Sequence, residues 1–196
     1  MAQIKNRDDF ITELKKFDSK VRYEFSNQKI IIEETEEKGK GEIFLDISNY
    51  SHDNYLFAKI EHRKSHTIGE NGQHNDGIIL KINLIDKRID VHFFELKKQL
   101  TFKALLTASN QLANAYRFIK YLQLEECFVV KYRFYIVYQE NNIGKDASIL
   151  KDLKGFNWKL FKAIYKNQDK IPLKIPFCKY REFDFQQVEF GKTIQI

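Results

Sequence analysis

Apolar residues recur along this chain in two rhythms, one of period near 3.6 and one of period 2, and they divide it into helices and strands. Phe10, Leu14 and Phe17 stand at i, i+4 and i+7 behind Asp8 and Asp9, which predicts a helix over 8–18 with its acids at the favourable N-terminus. Two β-rich runs follow, 21–34 and 42–48, joined by the charged, Gly-containing turn 36–41, and their natural pairing is a hairpin. A third run spans 54–61. The stretch 62–75 is polar, has no clear period and leads into Asp76 as a loop. Phe102, Leu105, Leu106, Leu112, Ala113, Tyr116 and Ile119 predict one face of a long helix over 102–122, with Lys103, Thr107, Asn110, Asn114 and Arg117 on the polar face. An apolar strand over 127–138 and a loop at 141–145 come next.

The central stretch, 75–98, reads as a second hairpin. Apolar runs at 77–84 and 89–96 flank the turn residues Asp86, Lys87 and Arg88. Folding about Ile85 and Asp86 sets Ile82 against Ile89, Leu80 against Val91, Ile78 against Phe93, and Asp76 against Glu95. A slip of one residue would turn Asp90, His92 and Phe94 toward the Ile/Leu face, so the pattern selects this register. Its last pair is the anomaly, because two carboxylates opposite one another repel unless a positive group lies between them. Lys97 projects from the same face as Glu95, two residues on. Mg²⁺ suits such a place, since it takes oxygen ligands from one or two carboxylates and keeps waters that a phosphate can displace.

The acidic Asp76, the eighteen residues after it and the triplet Glu95-Leu96-Lys97 resemble the signature of the PD-(D/E)XK nuclease superfamily. Asn75 stands where the family name has proline. The resemblance implies an α/β fold with a restriction-endonuclease-like core, a mixed central β-sheet flanked by helices, and Mg²⁺-dependent phosphodiester hydrolysis, usually of DNA, with Mn²⁺ as an alternative ion. It carries over to Asp76 and Glu95 as metal ligands and to Lys97 as the catalytic lysine. The order strand, strand with ExK, helix, strand is also the order of the family's core. Gln111 and Tyr116 are similar to a Gln-x-x-x-Tyr element of some members but stand one residue too far apart, which leaves Gln111 as a contact for metal-bound water or DNA and Tyr116 as core. Some members complete the metal site with a glutamate from an early helix, and Glu13 is the residue here. His62, His66 and His74 lie close to Asp76 in sequence; His62 and His66 have a spacing compatible with Zn²⁺, while the glycines around them oppose a helix there.

Composition adds a partner. Between Lys151 and Arg181 nine basic residues meet two acidic ones, so this segment carries +7 and the rest of the chain about −1, for a net +6. Such asymmetry fits a polyanion, whose counterions are released on binding. A helix predicted at 157–167 places Trp158, Phe161 and Tyr165 in a burying stripe and Lys159, Lys162 and Lys166 on an adjacent face; these lysines, with Lys98, are the expected backbone contacts. The tail, 173–196, is strand-like, with Pro172 and Pro176 suited to edges or entries. At 196 residues the chain is read as a single domain. No stretch has the ~20 apolar residues of a membrane span. The polar N-terminus does not read as a signal peptide, and Cys127 and Cys178 read as buried thiols of a reducing cytoplasm, too few for a four-cysteine iron-sulfur cluster.

The expected protein is thus a Mg²⁺-dependent DNA nuclease of restriction, repair or recombination type, with RNA left open. A homodimer would suit double-strand cleavage, although no sequence feature of its own indicates one. The alternatives are a non-catalytic nucleic-acid-binding module of the same fold and a protein-interaction module using its basic face.

Overall fold

The computed structural model describes residues 9–12, 22–26, 29–33, 42–47, 55–61, 76–145, 151–175 and 180–196. Ten strands occur among these residues: β1 (Arg22–Ser26), β2 (Lys29–Glu33), β3 (Glu42–Asp46), β4 (Tyr55–Glu61), β5 (Gly77–Asn83), β6 (Arg88–Leu100), β7 (Val129–Asn141), β8 (Lys170–Leu173), β9 (Arg181–Glu189) and β10 (Thr193–Gln195). Two longer helices are α1 (Phe102–Tyr121) and α2 (Gly155–Tyr165). Seven strands form one sheet in the order β1-β4-β5-β6-β7-β9-β8, and β10-β3-β2 form a second.

The central hairpin closes through its own side chains. Asn83 Oδ1 accepts the Asp86 amide at 2.9 Å and Asn83 Nδ2 donates to Asp86 Oδ2 at 2.8 Å. Lys87 takes a φ of 48°, the left-handed position at which a four-residue loop delivers the chain into the return strand. From there Ile82 faces Ile89, Leu80 faces Val91 and Ile78 faces Phe93, the register set by the side-chain pattern. β6 runs on to Leu100, four residues beyond the apolar run, and Thr101 then starts α1 by accepting the Ala104 amide on its side chain at 3.2 Å. The helix returns the chain so that β7 pairs parallel to β6, as a crossover of this length permits. β9 adds parallel to β7, and β8 closes that edge antiparallel. Pro172 lies in this edge strand, where a missing amide is tolerated.

Alternation along β6 and β7 sends side chains into two separate cores. Ile89, Val91, Phe93, Phe134 and Ile136 meet α1 and α2, whereas Phe94, Leu96, Tyr135 and Val137 meet the small sheet through Ile30, Ile32, Ile43, Leu45 and Ile47. The molecule is α/β with mixed sheets, and its layers are helices, seven-stranded sheet and three-stranded sheet. Among the described residues, helices therefore cover one face of the central sheet rather than both. The run 21–34 also departs from expectation: β2 pairs antiparallel with β3, but β1 leaves for the edge of the large sheet and pairs with β4.

Phe10 belongs to the helix-side core and packs edge-on against Phe128 at 5.6 Å; residues 9–12 are helical, and the remainder of the helix predicted over 8–18 lies outside the described residues. α1 buries the expected Phe102, Leu105, Leu112, Ala113, Tyr116 and Ile119, and also Ala108, Ser109, Ala115 and Phe118. In α2 the buried face is Leu160, Phe161, Ala163 and Ile164. Trp158 and Tyr165, expected to bury with Phe161, are instead 44% and 59% exposed. The predicted stripe is the edge of the apolar face and the aliphatic residues are its centre.

Candidate active site

At the end of the central hairpin the backbone register carries Asp76 alongside Glu95. The Asp76 amide donates to Phe94 O at 3.2 Å and its Oδ2 accepts the Leu96 amide at 2.6 Å, so Asp76 holds the residues on both sides of Glu95. Glycine at the next position is what lets the strand come this close to the second layer. A Cβ on Gly77 would lie 2.9 Å from both Cδ1 and Cγ2 of Ile32. Asp76 alternates with Gly77 and so shares the opposite, helix-side face with Ile78.

Glu95 shares that face with Ile89, Val91 and Phe93. Its side chain is fully buried, and Lys97 Nζ sits 2.5 Å from Oε1, with the lysine side chain 19% exposed. The sequence-predicted trio Asp76, Glu95 and Lys97 is thus brought together at one strand end. A carboxylate and an ammonium removed from water cost several kcal/mol each, and their attraction repays this only with good geometry. Hydrophobic residues of the same volume would serve stability as well. A buried pair of this kind beside a second carboxylate is therefore a candidate site rather than a device for stability alone.

Beyond the trio the sheet supplies neighbours that sequence reasoning passed over. Register places Ile136 beside Glu95 and Tyr138 beside Lys97, then Gln187 beside Ile136 and Glu189 beside Tyr138. Tyr138, Asn141, Gln187 and Tyr165 line a groove of about 870 Å³ at the carboxyl ends of β7 and β9. It lies where open α/β sheets hold ligands, outside the carboxyl ends of parallel strands. Gln187 Nε2 fixes one wall by donating to Ile164 O at 2.9 Å and Asn167 Oδ1 at 3.0 Å. Only the parallel pairing of β7 and β9, strands distant in sequence, assembles this wall, so no local pattern announces it.

Gln111 lies midway along α1, partly buried, with its Oε1 shielded from solvent. Tyr116 is core, 5.0 Å edge-on from Tyr132 and 4.9 Å from Phe183. Lys98, Lys159, Lys162 and Lys166 are exposed, and Lys159 Nζ stands 4.3 Å over the Tyr180 ring. Glu13, His62, His66, His74 and Cys178 lie outside the described residues; Cys127 is a half-buried free thiol. Among the described residues no three His, Cys, Asp or Glu side chains cluster to hold a metal, and no helix is long and apolar enough to cross a membrane.

A second polar pair is buried between the sheets. His92 Nδ1 and Tyr135 Oη share a hydrogen bond at 3.0 Å, their rings stacked at 5.8 Å. Burial pushes the imidazole down to about 3, against a smaller upward pull from Asp90, with Arg133 and Lys81 adding to the depression. The histidine is therefore neutral at physiological pH.

Comparison of the chain with family models, with curated proteins and with solved structures finds no match.

Proposed function

We propose that this chain is a metal-dependent phosphodiester hydrolase acting on DNA, with a PD-(D/E)XK-type core. The observation that carries the reading is the meeting of Asp76, Glu95 and Lys97 at one strand end, where the Leu96 amide orients one carboxylate at 2.6 Å and Lys97 Nζ contacts the other at 2.5 Å. The succession β5, β6, α1, β7, with β7 parallel to β6, supports it because the superfamily's core has the same order.

The donor chemistry fits a hard divalent cation: two carboxylates, no sulfur, and a low-dielectric setting in which opposite charge is strongly favoured. Asp76 and Glu95 would hold Mg²⁺ or Mn²⁺, which when bound supplies an acidified water and neutralises phosphate charge. The protein's own part is positioning. Asp76 is locked by its backbone partner, so its carboxylate needs no reorganisation when substrate arrives. Lys97 places a positive charge at the mouth of the site, where it orients a phosphate oxygen and stabilises the charge that develops on it. Apolar neighbours, Ile78, Phe93 and Ile136, keep bulk water from screening these charges.

The test is cleavage of closed-circular, linear and single-stranded DNA across a Mg²⁺ titration, with Ca²⁺ as a non-supporting ion. Wild-type protein is expected to cleave, and Asp76→Asn, Glu95→Gln and Lys97→Met to lose at least a hundredfold while still binding. Cleavage by wild type that persists in all three variants would end the assignment. A second reading has one observation in its favour: Glu95 is wholly covered and already paired with Lys97, an arrangement that suits a closed ion pair in a non-catalytic nucleic-acid-binding module. Mg²⁺-independent DNA binding without cleavage by wild type would select it.

A further inference from the structure

One surface of the basic segment combines two features that seldom share a face. Trp158 and Tyr165 are large, aromatic and exposed, and they project from α2 beside the exposed Lys159, Lys162 and Lys166. Both rings stack on Phe161, Trp158 at 5.7 Å with an interplanar angle of 24° and Tyr165 at 5.1 Å with 20°. Phe161 is itself 4% exposed and belongs to the helix-side core. The outer rings are therefore held by a buried anchor, so little freedom remains for a ligand to freeze out.

From this we infer that α2 is a stacking platform for a single-stranded polynucleotide, the two outer rings receiving unpaired bases and the lysines following the phosphates. The inference rests on the nucleic-acid reading of the chain and is independent of its cleavage chemistry. Bases offer a free π-face only when they are not already stacked within a duplex, and the combination of aromatic rings with a basic track is how sequence-tolerant single-strand binding is built. A protein partner fits the surface poorly, because the centres of protein interfaces are depleted in lysine. Trp158 and Tyr165 are seven residues apart, about 10 Å along the helix at ~1.5 Å per residue, which separates them enough to serve different nucleotides.

The platform also has an exit. Tyr165 lines the groove at the carboxyl ends of β7 and β9, and Tyr138, on the same groove, neighbours Lys97 in the sheet. The loop at Gly144 closes one side of the Tyr165 ring: a Cβ there would lie 3.2 Å from its Cε2. Tyr165 thereby joins the α2 surface to the groove that Tyr138 also lines.

Trp158 is the chain's single tryptophan, so its fluorescence reports on this surface alone. The experiment titrates full-length protein, in EDTA, with an oligo-dT, an oligo-rU and a blunt DNA hairpin, following tryptophan emission and, separately, anisotropy of labelled oligonucleotide. Saturable quenching by a single strand of either sugar, at least tenfold tighter than any response to the hairpin, is expected. The Trp158→Ala/Tyr165→Ala variant should bind single strands at least tenfold more weakly by anisotropy, with its thermal midpoint little changed because both rings lie outside the core. Single-strand binding that leaves Trp158 emission unaltered, equal affinity for the blunt hairpin, absence of single-strand binding, or a double variant that binds like wild type would each overturn the platform. Quenching by single strands with no Mg²⁺-dependent cleavage by wild type would uphold the platform and remove the cleavage reading. Cleavage without any quench would uphold the acidic site and remove the platform.

Discussion

Asp76 and Leu96 are joined across the open end of the central hairpin, the carboxylate Oδ2 taking the backbone amide at 2.6 Å. The bond makes Asp76 a cap for the strand as well as a candidate ligand, and the two roles separate by substitution. Asp76→Asn keeps an oxygen acceptor and should change stability by less than about 1 kcal/mol, whereas Asp76→Ala leaves the amide unmet and should cost about 1–2 kcal/mol. Both should abolish metal-dependent cleavage. Urea unfolding of the two variants beside a cleavage assay reads the difference; equal loss of stability would refute the capping role.

Glu95 and Lys97 should respond unequally. Lys97→Met strands a fully buried carboxylate and should destabilise by about 3 kcal/mol. Glu95→Gln leaves a lysine that reaches water, so its loss should be smaller. The double variant should recover most of the Lys97→Met deficit, since neutral replacement of a buried pair is close to cost-free. A double-mutant cycle by denaturant unfolding checks this, and strict additivity would contradict it.

His92 predicts a pH dependence with a definite sign. Its folded-state value, about 3, lies below the ordinary 6.5, so between these limits the unfolded chain takes up a proton that the folded chain refuses. This contribution to stability is complete above pH 6.5 and falls with acidification by up to about 1.4 kcal/mol per pH unit. His92→Leu should flatten the curve between pH 6 and 4 relative to wild type, at the expense of the Tyr135 bond. Parallel curves for the two proteins would show that His92 is not the group responsible.

Gly77 tests the spacing of the two sheets. Gly77→Ala drives a methyl to within 2.9 Å of Ile32 Cγ2, close to its branch point, where the side chain has little room to yield. A loss of about 1–3 kcal/mol is expected, with partial recovery in combination with Ile32→Ala. A Gly77→Ala protein as stable as wild type would mean that the layers part without strain.

Much of this architecture is written locally. The register of β5 on β6 follows from Ile78, Leu80 and Ile82 needing apolar partners, and α1 follows from an apolar face closed by the Thr101 cap. Local pattern failed where distant elements decide. Whether Trp158 or Leu160 turns inward on α2 depends on where β8 and α1 lie, and the mixed apolar surface of that helix permits either. The separation of β1 from β2 depends on β4 and β3, which compete for neighbouring segments of one run. The juxtaposition of Asp76, Glu95 and Lys97 was legible because one hairpin carries all three. Tyr138 and Gln187 were not, because parallel pairing of β6, β7 and β9 brings them there.

The loop at 84–87 stands at one end of the hairpin and the acidic pair at the other. Pairing that starts from the loop zips through the aliphatic rungs and meets the mutually repelling carboxylates last. A mistake of one residue anywhere along the zipper would turn Glu95 to the opposite layer, so a misaligned molecule would part Glu95 from Asp76 altogether rather than merely loosen the pair.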